Sequence, residues 1–280
     1  IKYLNLNQIY MNKIILIFMA IVAFNVNLEA QERQNPVLQF DFVSIEDADR
    51  FRFMEFLSFA SEMHSLRIEK GFIDFFHVWE VQHDSHMGND NYEYIIVSRT
   101  SLGNTVQTSG EDWQSYLNSL KDSGIESPFM ASNYNLGRIY KEYYEMATHD
   151  EMYLYQVANA PFDTTVSLEE GWVTKINFMK QTDDSYQQNE ANLAEFANRR
   201  IQAGYLDSWG FLGNLYGYAS DSYSSHLTVD FWKDTESFVN QGIGDNEILN
   251  YSDKDGELID KVLSSRDLRR SIVATLIISK

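Results

Sequence analysis

Hydrophobic positions follow a helical period in two separate stretches, residues 47–70 and 183–203. In each stretch apolar side chains recur every three to four positions, as expected for one face of a helix that lies on a sheet. These residues are Phe53, Phe56, Leu57, Ala60 and Met63 in the first stretch, and Leu193, Phe196, Ala197 and Ile201 in the second. The pattern predicts two amphipathic helices.

Both predicted helices end in the same way. Residues 67–74 read Arg-Ile-Glu-Lys-Gly-Phe-Ile-Asp, and residues 200–207 read Arg-Ile-Gln-Ala-Gly-Tyr-Leu-Asp. The glycine can take the left-handed conformation that caps a helix, so the chain turns directly into the aromatic run that follows. Arg67 and Arg200 fall in the last turn, where a cation favours the helix dipole, and we interpret them as structural. The shared segment indicates an internal repeat.

The other predicted elements also come in pairs. The strands are 37–43 and 172–179, 72–81 and 205–212, 92–98 and 225–231, and 152–158 and 272–278; further helices are 111–120 and 136–147, then 234–241 and 257–268. Each unit reads β-α-β-β-α-β, the ferredoxin-like order. The predicted fold class is α+β, with ferredoxin-like repeats at 31–165 and 166–280. Their open sheet faces are expected to pack sheet-to-sheet as a barrel within one chain.

These features resemble the dimeric α+β barrel superfamily, in a tandem form. The resemblance rests on the two helix-to-strand segments and on residues 228–238, where a third strand runs into an acidic helix start. It covers most of residues 37–280. The resemblance implies a range of functions, including cofactor-independent monooxygenases, haem-degrading enzymes, dye-decolourising peroxidases and ligand-binding members, so fold alone does not select one.

Composition limits the partners. The 280 residues are 44% hydrophobic and 14% aromatic, which supports a folded chain. The formal charge is −19, and residues 1–30 contain Lys2, Lys13 and Glu29, so removing them takes away +1 and leaves about −20. A surface this acidic repels phosphate groups and anionic lipids, which argues against nucleic-acid and membrane-surface binding. The pattern leaves the oligomeric state open.

The N-terminal residues predict export. Met11 is followed by Asn and Lys, an apolar run at 14–24, and a small residue, Ala30, at a plausible cleavage point. The run is too short to span a bilayer. The chain has no cysteine, which excludes a lipoprotein anchor and disulfides. We expect residues 1–10 to precede the initiator, a signal peptide from about Met11 to Ala30, and a periplasmic or secreted mature protein without a membrane segment.

Polar side chains alternate with apolar ones on two strands of the second unit. We expect the apolar set to face the helices and the polar set to face the space between the sheets, where it forms a candidate ligand site. His77 and Trp79, which alternate with Phe75, are expected to add an aromatic wall from the first unit. The candidate residues are Lys175, Asn177, His226, Thr228, Asp230, His77 and Trp79; the matching first-unit positions are Gln39, Asp41, Tyr94, Ile96 and Ser98.

No nucleotide-binding loop, nucleophile elbow, zinc-binding helix motif or calcium loop occurs in the sequence. His83 and His86 could bind a metal only with a third ligand, and a solvated loop is the simpler interpretation. The run 253–257 is interpreted as a turn and helix start. Metal sites are therefore not predicted, and any cofactor is unknown.

Two classes of function remain open, and binding is favoured because no residue pattern demands catalysis. The first is an exported protein that holds a small, partly apolar ligand between its sheets. The alternative is a cofactor-independent monooxygenase-like or haem-related enzyme on the same scaffold. In the first case a His226–Asp230 pair would act as the general base, and in the second His77 or His226 would be a haem ligand. A structural or interaction protein is a third possibility.

Overall fold

In a computed structural model of the protein, the described residues are 36–86, 91–101, 113–124, 136–157, 167–217, 223–240 and 251–280. Their strands are β1 (Pro36–Ile45), β2 (Phe75–Asp84), β3 (Tyr94–Ser101), β4 (Ala147–Gln156), β5 (Val173–Gln181), β6 (Ser208–Gly217), β7 (His226–Trp232) and β8 (Arg266–Ser279). Their helices are α1 (Arg50–Glu69), α2 (Trp113–Asp122), α3 (Leu136–Met146), α4 (Tyr186–Asn192), α5 (Ala194–Gln202), α6 (Thr235–Val239) and α7 (Asp253–Ser264). The predicted signal peptide lies outside the described residues.

The eight strands close into an antiparallel barrel with the order β1-β3-β2-β8-β5-β7-β6-β4. Within this order, β4-β1-β3-β2 and β8-β5-β7-β6 are two ferredoxin-like sheets. They face each other, and they also join edge to edge, because β2 pairs with β8 and β4 pairs with β6. Each of the eight described strands therefore has a partner on both sides. The predicted fold of two ferredoxin-like units forming an intrachain barrel is confirmed.

The first and third strands of the two halves pair in corresponding registers. Lys175 lies opposite Asp230 across β5 and β7, as Gln39 lies opposite Ser98 across β1 and β3. The predicted match between the halves at these positions is confirmed.

The repeated helix ends have the predicted geometry. Gly71 and Gly204 have φ values of 74° and 77°, and the residue after each glycine donates its backbone N–H to the carbonyl of Arg67 or Arg200. Nothing lies within 4 Å of a Cβ built at either glycine, so the backbone conformation alone selects glycine there.

Several helix boundaries differ from the sequence prediction, most clearly in the second half. The second amphipathic stretch is two helices, because α4 ends and α5 begins around Leu193. Helix α7 starts at Asp253, since Ser252 and Asp255 form a capping box. It ends at Ser264, so residues 266–268, predicted as helix, belong to β8. No helix among the described residues is long and apolar enough to cross a membrane.

Buried apolar side chains form three clusters. One fills the barrel lumen and draws residues from all eight strands. The second lies between the first sheet and α1, α2 and α3, and the third lies between the second sheet and α4, α5 and α7. The strands therefore have a lumen face, which is buried, and an outer face, which the helices cover only in part at β4 and β8.

Candidate functional site

The lumen faces of β5 and β7 are apolar. Leu227, Val229 and Phe231 pack in the lumen cluster together with Ile176 and Phe178. The alternating polar residues of the same strands therefore lie on the helix face. The prediction that the polar set faces the space between the sheets is wrong.

The physical reason for this inversion is closure of the barrel. An eight-stranded barrel has an interior that side chains fill, and filling it without polar partners requires apolar residues. Alternation in the sequence shows which side chains share a face of a strand. It does not show which face becomes the lumen.

On β2 the predicted orientation holds. His77 and Trp79 both point into the lumen, where they line a small apolar cavity of about 30 Å³ at one end of the barrel. The other lining residues are Leu38, Phe40, Phe75, Val97, Leu168, Thr174, Ile176, Leu212, Val229 and Phe231. Ligand pockets usually measure about 300–1,000 Å³, so the cavity as it stands has room for little more than one or two water molecules.

The imidazole of His77 lies in an aromatic environment. Its ring stacks on Phe75 with centroids 4.3 Å apart and meets Trp79 edge-on at 6.4 Å. Burial, and secondarily the positive charge of Arg99, lower the pKa of His77 to about 4, so the ring is neutral at neutral pH. The contacts of this ring that the structure describes are therefore those with aromatic side chains. The hydroxyl of Thr174, by contrast, donates to the backbone carbonyl of Asp230.

The five polar candidates of β5 and β7 do share one face, as predicted, but it is the helix face. Asn177 donates its Nδ2 to Thr228 Oγ1 at 3.2 Å and accepts from Ser271 Oγ at 2.7 Å. These bonds connect three neighbouring strands of the second sheet. The amide and both hydroxyls thus satisfy one another, which gives them a structural role.

His226 is also held on the helix face. Its ring stacks on Phe211 at 5.1 Å and meets Tyr186 of α4 edge-on at 5.2 Å. Its Nδ1 lies 2.9 Å from Ser225 Oγ. Burial lowers the pKa of His226 to about 4.

Asp230 belongs to a cluster of charged residues beneath α4 and α5. Burial raises the pKa of Asp230 to about 6, against the opposing charges of Arg200, Lys175 and Arg266. Arg266 is paired with Glu190 of α4 at 3.1 Å, and burial also raises the pKa of Glu190. His226 contacts Phe211 and Tyr186, whereas Asp230 faces cations. No described contact joins His226 to Asp230 as the predicted general base.

The seven predicted site residues therefore fall into two groups on opposite faces of the barrel wall. His77 and Trp79 line the lumen cavity, and the other five lie under the helices of the second half. The structure does not bring them together in one site.

Two buried polar clusters were missed by the sequence analysis. Asp41 Oδ2 accepts from Tyr143 Oη at 2.5 Å and from His149 Nδ1 at 2.8 Å, under α3. Asp84 and Arg270 form a buried ion pair, and the Arg270 guanidinium stacks over the Tyr92 ring at 3.8 Å. These pairs are separated by 108 and 186 positions, so spacing along the sequence gave no signal.

The prediction that His83 lies in a loop is wrong, because β2 continues to Asp84 and His83 pairs with Val273 of β8. Asp84 organises the turn that follows. Its carboxylate accepts from the backbone N–H of His86 and, at 3.3 Å, from that of Tyr92. Among the described residues, no group of three or more His, Asp or Glu side chains is placed to hold a metal ion.

A haem group does not fit beside His77 or His226, the two residues predicted as possible haem ligands. The cavity beside His77 measures about 30 Å³, many times less than a haem. His226 is 5% exposed, with aromatic rings of Phe211 and Tyr186 against it. Within the described residues, therefore, neither imidazole faces a space that could admit the macrocycle.

No known family profile and no curated protein matches the chain. Among solved structures, it is similar to a candidate monooxygenase from Lactobacillus acidophilus NCFM, with a TM-score of 0.52, 9% identity, and coverage of 87% of this chain and 93% of that chain. An anthrone oxidase-like protein has a TM-score of 0.53, 7% identity and coverages of 88% and 92%. A mutant chlorite dismutase from Candidatus Nitrospira defluvii has a TM-score of 0.41, 13% identity and coverages of 87% and 91%, a likeness too low to carry an argument. At these identities the first two likenesses show that the chain shares an α+β barrel fold with those proteins.

Proposed function

We propose that the protein binds a small, neutral, mainly apolar molecule in the barrel lumen beside His77. The observation that carries this proposal is the placement of a neutral imidazole in the wall of an apolar cavity, where it stacks on Phe75. A neutral imidazole can donate a hydrogen bond from one ring nitrogen and accept one at the other. A bound molecule with one polar group would complete this arrangement.

The walls of the cavity define the charge of the ligand. Aromatic and aliphatic side chains make up most of the lining, and the His77 ring is neutral because its pKa is lowered to about 4. No Asp, Glu, Lys or Arg side chain lines this cavity within the described chain. Transfer of an ion into such surroundings is costly, so a charged ligand is disfavoured.

Three probes that share one ring test this proposal by calorimetry: toluene, benzyl alcohol and benzoate. The alcohol should bind most tightly, and benzoate should not bind. The substitution His77→Phe should lower the affinity for benzyl alcohol by about 3- to 10-fold, the usual contribution of one hydrogen bond, and leave the affinity for toluene nearly unchanged. His83→Phe is the matched control, since His83 is exposed. Equal binding of all three probes, or equal effects of both substitutions, would contradict the proposal.

An oxygenase-like activity is the second candidate, because the two similar folds include a candidate monooxygenase and an oxidase-like protein. Binding is favoured over catalysis because a histidine with a pKa of about 4 is a weak base near neutral pH. Native mass spectrometry separates the two: a retained molecule appears as added mass, and an oxygenase would change that mass on aeration. A protein with no retained molecule and no probe binding would favour a structural or interaction role.

The proposal includes export and a tandem origin. The charged start, apolar run and small residue that end at Ala30 support a cleaved signal peptide. The equal strand order of the two halves and the repeated segments at residues 67–74 and 200–207 support duplication of one unit. N-terminal sequencing of the protein recovered outside the cytoplasm should begin near Gln31. Recovery of an uncleaved chain in the cytoplasm alone would contradict export.

A further inference from the structure

The connection between the two halves of the barrel reaches the lumen cavity in its described part. Its described part, residues 167–172, leads into β5, and Leu168 lines the cavity beside His77. Leu168 and Trp172 both pack against the lumen cluster. The cavity is therefore bounded partly by this connection as well as by the strands.

The backbone of this connection is fixed to β8 at several points. Ser279 Oγ donates to the carbonyl of Leu168 at 2.7 Å. The backbone N–H of Gly171 donates to the carbonyl of Leu276 at 2.9 Å, and the N–H of Leu276 donates to the carbonyl of Trp172 at 2.8 Å. None of these bonds uses the side chain of Leu168, so the backbone can keep its position when that side chain is changed.

Leu168 differs from its neighbours in exposure. Ser167, Glu169, Glu170 and Gly171 are exposed, whereas Leu168 is partly buried. Among residues 167–172, the isobutyl group of Leu168 is the one that lines the cavity. The cavity of about 30 Å³ is too small for an organic ligand unless a lining side chain moves. A partly exposed residue on a connecting segment can move more easily than one packed within the sheet.

We propose that Leu168 is the residue that limits the size of the molecule admitted to the lumen. The ligand class is the neutral, mainly apolar molecule inferred above, and the inference rests on that proposed function. Loss of the isobutyl group enlarges the cavity at the end where the connection covers it, so larger neutral molecules should enter.

Two probes of equal chemistry and different size test this role: benzyl alcohol and 2-naphthalenemethanol. The measured quantity is the ratio of their affinities in calorimetry, for the wild type, for Leu168→Ala and for Leu215→Ala. Leu215 is 43% exposed and does not line the cavity, so it controls for loss of a leucine. Leu168→Ala should shift the ratio toward the larger alcohol by about tenfold or more, as differences of one or more methylenes in an apolar pocket do. Leu215→Ala should leave it unchanged.

The outcomes separate this inference from the proposed function. If the wild type binds benzyl alcohol through His77 but Leu168→Ala leaves the ratio unchanged, Leu168 does not limit size and only this inference fails. If neither wild type nor Leu168→Ala binds either alcohol, the lumen is not a binding site and both fail. Leu168→Met keeps the side-chain volume, so its affinity ratio should equal that of the wild type. That result would attribute the shift in Leu168→Ala to lost volume.

Discussion

His149 Nδ1 lies 2.8 Å from Asp41 Oδ2, and both side chains are more than nine-tenths buried. The two residues come from β4 and β1 and are 108 positions apart. Tyr143 of α3 donates its hydroxyl to the same carboxylate oxygen, and its backbone carbonyl lies 3.3 Å from His149 Nε2. This cluster fastens α3 to the first sheet.

The first prediction concerns this cluster. Asp41→Ala leaves the buried donors of Tyr143 and His149 without their acceptor. We expect the free energy of unfolding to fall by about 1–3 kcal/mol for each unpaired group. Tyr143→Phe removes one donor and leaves the other bond, so its cost should be clearly smaller. Urea denaturation at neutral pH measures both. Equal stability of Asp41→Ala and the wild type would show that the cluster does not hold α3.

The second prediction concerns the ion pair between Asp84 and Arg270, whose side chains are 3% and 2% exposed. Burial alone would raise the pKa of Asp84, but hydrogen bonds from Arg270, His86 and Tyr92 lower it. Arg270→Met leaves a buried carboxylate without its partner and should cost about 3–5 kcal/mol.

A double-mutant cycle with Asp84→Asn measures the coupling of this pair. The double variant should be more stable than the sum of the two single losses implies, because neither charge is then left alone. Additive losses would mean that the two side chains act independently.

The third prediction is a pH dependence that comes from Asp230. Its folded pKa of about 6 lies above the usual value of about 3.9 for an unfolded aspartate. The folded state therefore binds the proton more tightly between these values, so the contribution of Asp230 to stability is fully present below about pH 4 and is lost as pH rises through about 6.

Asp230→Asn removes this dependence. The variant should gain stability relative to the wild type as pH rises from 4 to 7.5, measured by urea denaturation at several pH values. Asp184→Asn, at an exposed position, is the control and should run parallel to the wild type. A constant difference between Asp230→Asn and the wild type across this range would contradict the raised pKa.

The fourth prediction concerns the charge state of His77. Because burial and Arg99 lower its pKa to about 4, its ring should stay neutral in nitrogen-detected NMR spectra down to about pH 5. An unfolded histidine takes up its proton near pH 6.5, so this group lowers stability as pH falls from about 6.5 through 4. His77→Phe should remove that part of the acid sensitivity. Titration of His77 near pH 6.5 would contradict the buried placement.

Local patterns in the sequence were sufficient to predict the elements and their order. Gly71 and Gly204 fix the ends of two helices through a backbone conformation that depends on a single residue. The boundaries that were wrong depend on side chains just outside the hydrophobic pattern, such as Ser252 and Asp255, which start α7 earlier than apolar periodicity suggests.

Amino-acid order alone determined the two β-α-β-β-α-β units, the matching positions of their first and third strands and the set of side chains that share a strand face. These properties follow from periods of two and 3.6 residues and from single glycines. Only the tertiary structure decided which face of β7 fills the lumen, that His77 is separated from His226 and Asp230, and that His149 meets Asp41. The physical reason is that barrel closure joins β2 to β8 and β4 to β6, and pairings this distant in the chain leave no periodic signal.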